Sequence, residues 1–248
     1  MARPFPDAAA GFSLIELAVV LAACSVLALT LNSLAGNVAA LNQQRAAEAE
    51  LERGRQALRT FLLRHHHLPC PGQEGEPYIA SSQCAPGLNR GWLPYHSLDI
   101  APPAERLALR YAVHRSSASD LVAPLPVAAD GNHLDLRGGI EQALSQLAGA
   151  GLDRQQPHHP AQRGPAQLPG CASGVQTNPA FVLVAAQQAL AAGNAGQALE
   201  APNATFFAAT ASNCLAAPGR STTHDYDDRV LSEPASALLG WFLRSGRG

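Results

Sequence analysis

The feature that most constrains this chain is a run of 25 residues, positions 17–41 (LAVVLAACSVLALTLNSLAGNVAAL), without one Asp, Glu, Lys or Arg. A bilayer core of about 30 Å takes roughly 20 apolar residues as a helix, and this run is long enough. A helix on a soluble core shows polar positions every three or four residues; here no strongly polar residue comes before Asn32. The run is too long for the apolar stretch of a secretory signal, about 7–15 residues, and no clear Ala-x-Ala cut separates it from a polar start. The expectation is a membrane-spanning helix.

Glu16 stands at the front of that run, inside GFSLIELAVVLAA. A carboxylate in a membrane segment costs several kcal/mol or more unless it is paired. One reading is a Glu at headgroup level, snorkelling to the interface. The other needs a cation, and a cut between Gly11 and Phe12 would supply one, a new α-amine four residues away. The amine of a neighbouring copy, docked beside Glu16, would neutralise the charge and fix the register between packed helices.

Gly11-Phe12-Ser13-Leu14-Ile15-Glu16-Leu17, with the uncharged run behind it, resembles the prepilin cleavage and methylation motif of type IV pilins, minor pilins and type II secretion pseudopilins. The resemblance implies that prepilin peptidase cuts between Gly11 and Phe12 and methylates the Phe12 amine, and that Glu16 is the assembly carboxylate. It implies four segments: 1–11 a leader, 12–41 a transmembrane and assembly helix, 42–68 the periplasmic half of the same helix, and 69–248 an ectodomain. Major pilins often carry a proline in this helix, whereas none occurs here between Pro6 and Pro69; Asn32, Ser33 and Gly36 are the softer positions instead.

Residues 42–64 are rich in good helix formers, with Leu51, Leu58 and Leu62 spaced by seven and four. That spacing gives one apolar stripe, which must lie on something, most simply a sheet of its own domain. Pro69 and Pro71 are the expected stop. Beyond them the chain reads as a Pro/Gly-rich α+β domain. Residues 107–113 alternate as a half-buried strand does, and 121–127, 133–136, 181–186 and 205–211 are further strand candidates. A helical turn or two is expected over 140–148, and an amphipathic helix over 234–244 that packs Leu238, Leu239 and Trp241. Residues 152–170 have no periodicity and read as an exposed loop. A looser resemblance, to large prepilin-type proteins, rests on Leu68-Pro69-Cys70-Pro71, Gly91-Trp92-Leu93-Pro94-Tyr95 and Arg110-Tyr111-Ala112-Val113.

Of five cysteines, Cys24 falls in the uncharged run, where it reads as a small apolar filler. The other four, Cys70, Cys84, Cys171 and Cys214, fall in the expected ectodomain and permit three connectivities. The favoured one is Cys70–Cys84 with Cys171–Cys214. A zinc site is the alternative, but there is no CxxC pair and an oxidising compartment favours disulfides. Such bridges matter because 48 residues are Ala and only 5% are aromatic, so the 47% apolar content holds few large core side chains.

Other clusters read as ordinary surface. Adjacent histidines on a helix point in different directions, so His65, His66 and His67 read as a solvated helix end, and His158 and His159 as part of the exposed loop. Asp225, Asp227 and Asp228 are three carboxylates where calcium takes roughly six to eight oxygens; the default is a solvated turn. All 17 basic residues are Arg, which excludes Schiff-base lysine chemistry and a P-loop lysine. Residues 12–248 hold 16 Arg against 18 Asp plus Glu, which argues against a nucleic-acid partner.

The combined expectation is an α+β, pilin-like fold: a long N-terminal helix, membrane-spanning in its first half, packed on an antiparallel β-sheet head with loops and disulfides. The expected function is that of a minor pilin or pseudopilin, a structural subunit with no enzymatic role, no cofactor and no metal. Its expected place is the inner membrane, single-pass with a periplasmic C-terminal domain, and then a pilus or pseudopilus at the cell surface. Its expected partners are prepilin peptidase, other pilins through the N-terminal helix, and the membrane. The alternative is a filament-tip adhesin or DNA-uptake module on the same anchor.

Overall fold

The structure is a computed structural model, and it describes residues 14–81, 84–104, 107–128, 134–161, 171, 174–186, 199–208, 212–223 and 226–245. The chain divides into two units, residues 1–45 and 46–248.

The first unit contains the N-terminal part of α1 (Leu14–His65, 52 residues). Leu14, Leu17, Val19, Val20, Leu21 and Val26 are exposed along it, Leu14 at 86%. Cys24 is a free, exposed cysteine. The membrane expectation is corrected at this point. Among the described residues, no helix is long and apolar enough to cross a membrane. The pilin-like fold with a membrane-spanning first half is therefore set aside, and with it the single-pass inner-membrane location.

The second unit is built on a four-stranded antiparallel sheet in the order β1-β2-β7-β8, formed by β1 (Arg90–Trp92), β2 (Arg110–Val113), β7 (Phe181–Ala185) and β8 (Arg229–Glu233). β7 lies between β2 and β8 and is buried along its whole length, as a near-continuous apolar run requires. Side chains alternate across the sheet. Tyr111, Val113, Phe181 and Leu183 face one core, together with Leu58 and Leu62 of α1. Ala112, Val182 and Val184 face a second core with Phe206 and Leu215.

The stripe of α1 that meets the first core is Ala47, Leu51, Leu58 and Leu62, at spacings that return to one helix face. Gly54 sits between Leu51 and Leu58. A Cβ there would come within 3.0 Å of the Leu109 Cδ1 and 3.1 Å of the δ-methyl carbons of Leu183 and Leu93. Glycine is what lets the helix backbone approach the sheet this closely. The helix ends at His65, four residues ahead of Pro69, and His66 takes the left-handed conformation at φ 57° that often terminates a helix. One polar clamp crosses the same interface. Glu233 at the end of β8 is 2% exposed and receives Arg59 at 2.8 Å, with Arg55 at 4.0 Å.

Two helices complete the first core. α2 (Leu136–Gly149) is longer than the turn or two expected over 140–148, and its N-cap Asp135 accepts the Arg137 N–H. α4 (Ala235–Ser245) buries Ala235, Leu238 and Phe242, with Leu239 and Trp241 half-packed beside them. Two short ribbons, β3 (Val127–Ala128) with β4 (Leu134–Asp135) and β5 (His159–Pro160) with β6 (Gln176–Thr177), lie apart from the main sheet.

Three expectations for the head are corrected. Most of 121–127 is not a strand, because the Asp120 Oδ1 accepts the N–H groups of Val122 and Ala123 that a ladder would need. Where a strand is expected over 205–211, residues 205–207 belong instead to the short helix α3 (Asn203–Phe207), which inserts Phe206 into the second core, and 209–211 lie outside the described residues. Of the segment 152–170, residues 152–161 are not simply an exposed loop: they supply β5, and both His158 and His159 are buried, while 162–170 lie outside the described residues.

The cysteine pairing is Cys70–Cys84 and Cys171–Cys214. Arg115, paired with Asp120 at 2.8 Å, donates to the carbonyls of Ala85 and Leu88 and so ties the first bridged loop to the end of β2.

The Gly54 approach gives a paired prediction. Gly54→Val forces three leucines aside and is expected to cost about 2 kcal/mol in urea unfolding. Gly149→Ala, where nothing lies within 4 Å of an added Cβ, is expected to be neutral or to stabilise by up to about 1 kcal/mol. For the clamp, Arg59→Ala leaves a buried carboxylate facing only the distant Arg55 and is expected to cost about 3 kcal/mol. Equal midpoints for Gly54→Val and the wild type would show that the close approach is not a constraint.

Candidate functional site

The sequence-predicted processing residues are placed unevenly. Gly11 and Phe12 lie outside the described residues. Glu16 lies within α1, and its side chain lies outside what is described. The histidines at the end of α1 do not converge. His65 stacks at 4.2 Å on Phe61, His66 meets Phe242 edge-on at 6.3 Å, and the His67 Nδ1 donates to the Leu68 carbonyl at 2.9 Å.

The head does assemble a polar cluster. It joins the chain before α3 to the residues that lead into β8. The Glu200 backbone N–H donates to the Asp228 Oδ2 at 3.1 Å. In return the backbone N–H groups of Asp227 and Asp228 donate to the Glu200 Oε2 at 3.2 and 3.3 Å. Asn203, fully buried at the start of α3, donates from Nδ2 to the Asp228 Oδ2 at 2.9 Å and to the Tyr226 hydroxyl at 3.2 Å. Its Oδ1 accepts the Ala216 N–H at 2.9 Å, so one amide side chain ties three segments together. The Arg220 guanidinium lies over the Tyr226 ring, 3.8 Å from its centre.

Asp228 is only 1% exposed, and its Oδ1 has no hydrogen-bond partner; the same holds for the Asp227 Oδ1. The solvated turn expected for these residues is thus corrected: Asp227 and Asp228 are built into the head, whereas Asp225 lies outside the described residues. Burial, with the Glu200 charge added, pushes the Asp228 carboxyl up to about 8 and the Asp227 carboxyl up to about 6. Burial also raises the Tyr226 hydroxyl above its ordinary range.

Carboxylate oxygens of Glu200, Asp227 and Asp228 all lie within 4.8 Å of one another. Such a set can do two things. It can share protons, or it can give hard oxygen ligands to a divalent cation of the calcium or magnesium class, with water and carbonyls filling the remaining positions. A groove of about 350 Å³ opens beside it, lined in part by Asp228, Arg220, Arg229, Glu48 and Leu51. Sequence reasoning found Asp227 and Asp228 but missed Glu200 and Asn203. Both lie more than 20 residues away along the chain, and neither belongs to a spaced motif.

The two histidines expected in a solvated loop occupy a second buried polar site. The His159 Nδ1 lies 2.8 Å from the Pro160 carbonyl and its Nε2 2.7 Å from the Ser232 Oγ. A carbonyl only accepts, so Nδ1 carries the proton and Nε2 accepts from the serine hydroxyl. Burial lowers the His159 pKa, in keeping with a neutral ring.

Comparison of the chain with protein-family models, with curated proteins and with solved structures finds no match.

The cluster makes a pH prediction. Carboxyls raised in the folded state take up protons on folding, so their stabilisation is complete below about pH 4 and is lost as pH rises through about 6 and then about 8. Thermal unfolding is expected to show stability falling across that window. Asp228→Asn keeps the acceptor for Asn203 without the charge, and is expected to flatten the profile and to raise Tm at pH 8. An unchanged profile in the variant would rule out Asp228 as the titrating group.

Proposed function

We propose that this chain is a structural subunit of a type IV pilin-like filament, a minor pilin or pseudopilin, joined to its neighbours through α1. The supporting observation is the apolar surface of α1 in the first unit. Leu14, Leu17, Val19, Val20, Leu21 and Val26 are each more than half exposed over about four turns of the helix, and unpartnered large apolar side chains grouped this way mark an interaction surface. Helices bearing such surface bury it by packing against copies of themselves or their relatives.

The sequence around it supports the same reading. Gly11 and Phe12 form the expected cut for a prepilin peptidase, with the new amine at Phe12 open to N-methylation. Glu16 is the one acidic residue between Asp7 and Glu48. An isolated carboxylate among apolar residues gains most when a neighbouring subunit's amine neutralises it, and that pairing fixes the axial step of a helical array. The partners in this reading are prepilin peptidase and other pilin-type subunits.

The test is co-expression with a prepilin peptidase and a set of pilin-type subunits. Replacing Gly11 with Val is expected to block leader removal, seen as retained mass. Glu16→Ala is expected to be cleaved normally yet to drop out of sheared filaments by tenfold or more, while Glu16→Asp retains part of the incorporation. Normal incorporation of Glu16→Ala would sink the assignment.

A further inference from the structure

His158, Cys171 and Cys214 meet at a point the filament reading does not use. The His158 backbone is laced beside Cys214 from both sides: its N–H donates to the Asn213 carbonyl at 3.0 Å, and its carbonyl accepts the Leu215 N–H at 2.9 Å. Cys171 is joined to Cys214 by the disulfide, and the Gln176 side-chain amide of β6 donates to its carbonyl. A ring nitrogen of His158 and both sulfurs all lie within 4.8 Å of one another. His158 and Cys214 are buried, and Cys171 is half-buried.

The imidazole is set up in one tautomer. The His158 Nδ1 lies 2.9 Å from the Gln156 carbonyl. Because that oxygen can only accept, Nδ1 holds the proton and Nε2 keeps its lone pair. An N–H held by a backbone carbonyl is the arrangement that orients metal-binding histidines and raises their basicity.

We propose that this is a metal site masked by a disulfide. Reduction by a dithiol transfers two electrons and two protons to the Cys171–Cys214 bond; the S–S bond breaks, two thiols form, and the dithiol closes to its own disulfide. A borderline cation of the Zn²⁺ class then binds the two sulfurs and the His158 Nε2, releasing both thiol protons. Two thiolates and one imidazole suit that class and not calcium or magnesium. Zn–S bonds of about 2.3 Å at a tetrahedral angle set the sulfurs roughly 3.8 Å apart. The two Cα atoms, 5.9 Å apart, leave room for that separation, and a ring nitrogen of His158 already lies within 4.8 Å of both sulfurs. Three protein ligands leave one position for water or a small donor. The site belongs to the head and stands whether or not the chain enters a filament.

Co²⁺ serves as the probe, because its thiolate complexes absorb by sulfur-to-metal charge transfer and its tetrahedral complexes have intense visible bands. The full chain is titrated with Co²⁺ after reduction by a water-soluble phosphine, and in parallel without reduction. The expected result is one equivalent bound with both spectral features in the reduced chain, none in the oxidised chain, and displacement by Zn²⁺. The Cys171→Ala/Cys214→Ala double variant retains Cys24, Cys70 and Cys84 and is expected to lose the bands. His158→Ala is expected to weaken binding at least about tenfold. Bands that persist in the double variant, or an affinity that His158→Ala leaves unchanged, overturn the proposal. So does a reduced chain that stays folded by circular dichroism and gives no bands, or one that unfolds and is not refolded by the metal.

Discussion

Everything in the head is arranged around the contact between residues 47–62 of α1 and the sheet. Ala47, Leu51, Leu58 and Leu62 provide the apolar stripe, and Gly54 removes the side chain where Leu93, Leu109 and Leu183 press closest. Packing this tight fixes both the depth and the rotation of the helix, because each added methylene would have to displace a leucine. The Glu233 carboxylate, buried at the end of β8 and met by Arg59, then locks the edge strand to the same helix. A buried ion pair adds little net stability, but its one low-energy geometry rejects slipped alternatives.

With that face settled, the other face of the sheet is free to carry the less regular half of the head. Val182, Val184 and Ala112 need cover, and α3 supplies it with Phe206. Arg90 of β1 reinforces the contact: its guanidinium lies 4.3 Å from the Phe206 ring centre and donates to the Phe206 carbonyl at 2.6 Å. Placing α3 there brings Glu200 and Asn203 against Asp227 and Asp228, so the acidic cluster is a consequence of covering the sheet. The Asp228 carboxyl, raised because burial disfavours its charged form, is held in place by the Asn203 amide and the Glu200 backbone N–H.

How far the sequence could be read depended on how local the cause was. The stripe of Leu51, Leu58 and Leu62, the alternation around β2 and the apolar run of β7 are each written in a few consecutive residues, and each forms the element it suggests. The two disulfides followed the favoured pairing. Readings failed where a side chain captured the backbone, as at Asp120, or where a segment of weak preference was recruited by a distant surface, as at α3. His158 and His159 looked like solvent-facing residues in a Pro/Gly stretch. Their burial comes from pairing with residues 213–215 and Ser232, which no local pattern announces.

The sequence by itself determined the periodicities and the chemical inventory: a long helix with one apolar stripe, strands of the right alternation, four cysteines apart from the uncharged run, and a lone acid at its front. Those are properties of neighbouring residues, and nearest-neighbour geometry is enough to fix them. It did not carry the membrane-spanning reading into the structure, where no described helix is long and apolar enough. Only the tertiary structure decided which polar groups meet. Glu200 with Asp228, and His158 with Cys171 and Cys214, are separated by 13 to 56 residues along the chain and brought within hydrogen-bonding or ligand range by the packing of two cores on one sheet. Contacts of that range are set by how surfaces fit, and that is a property of the whole head.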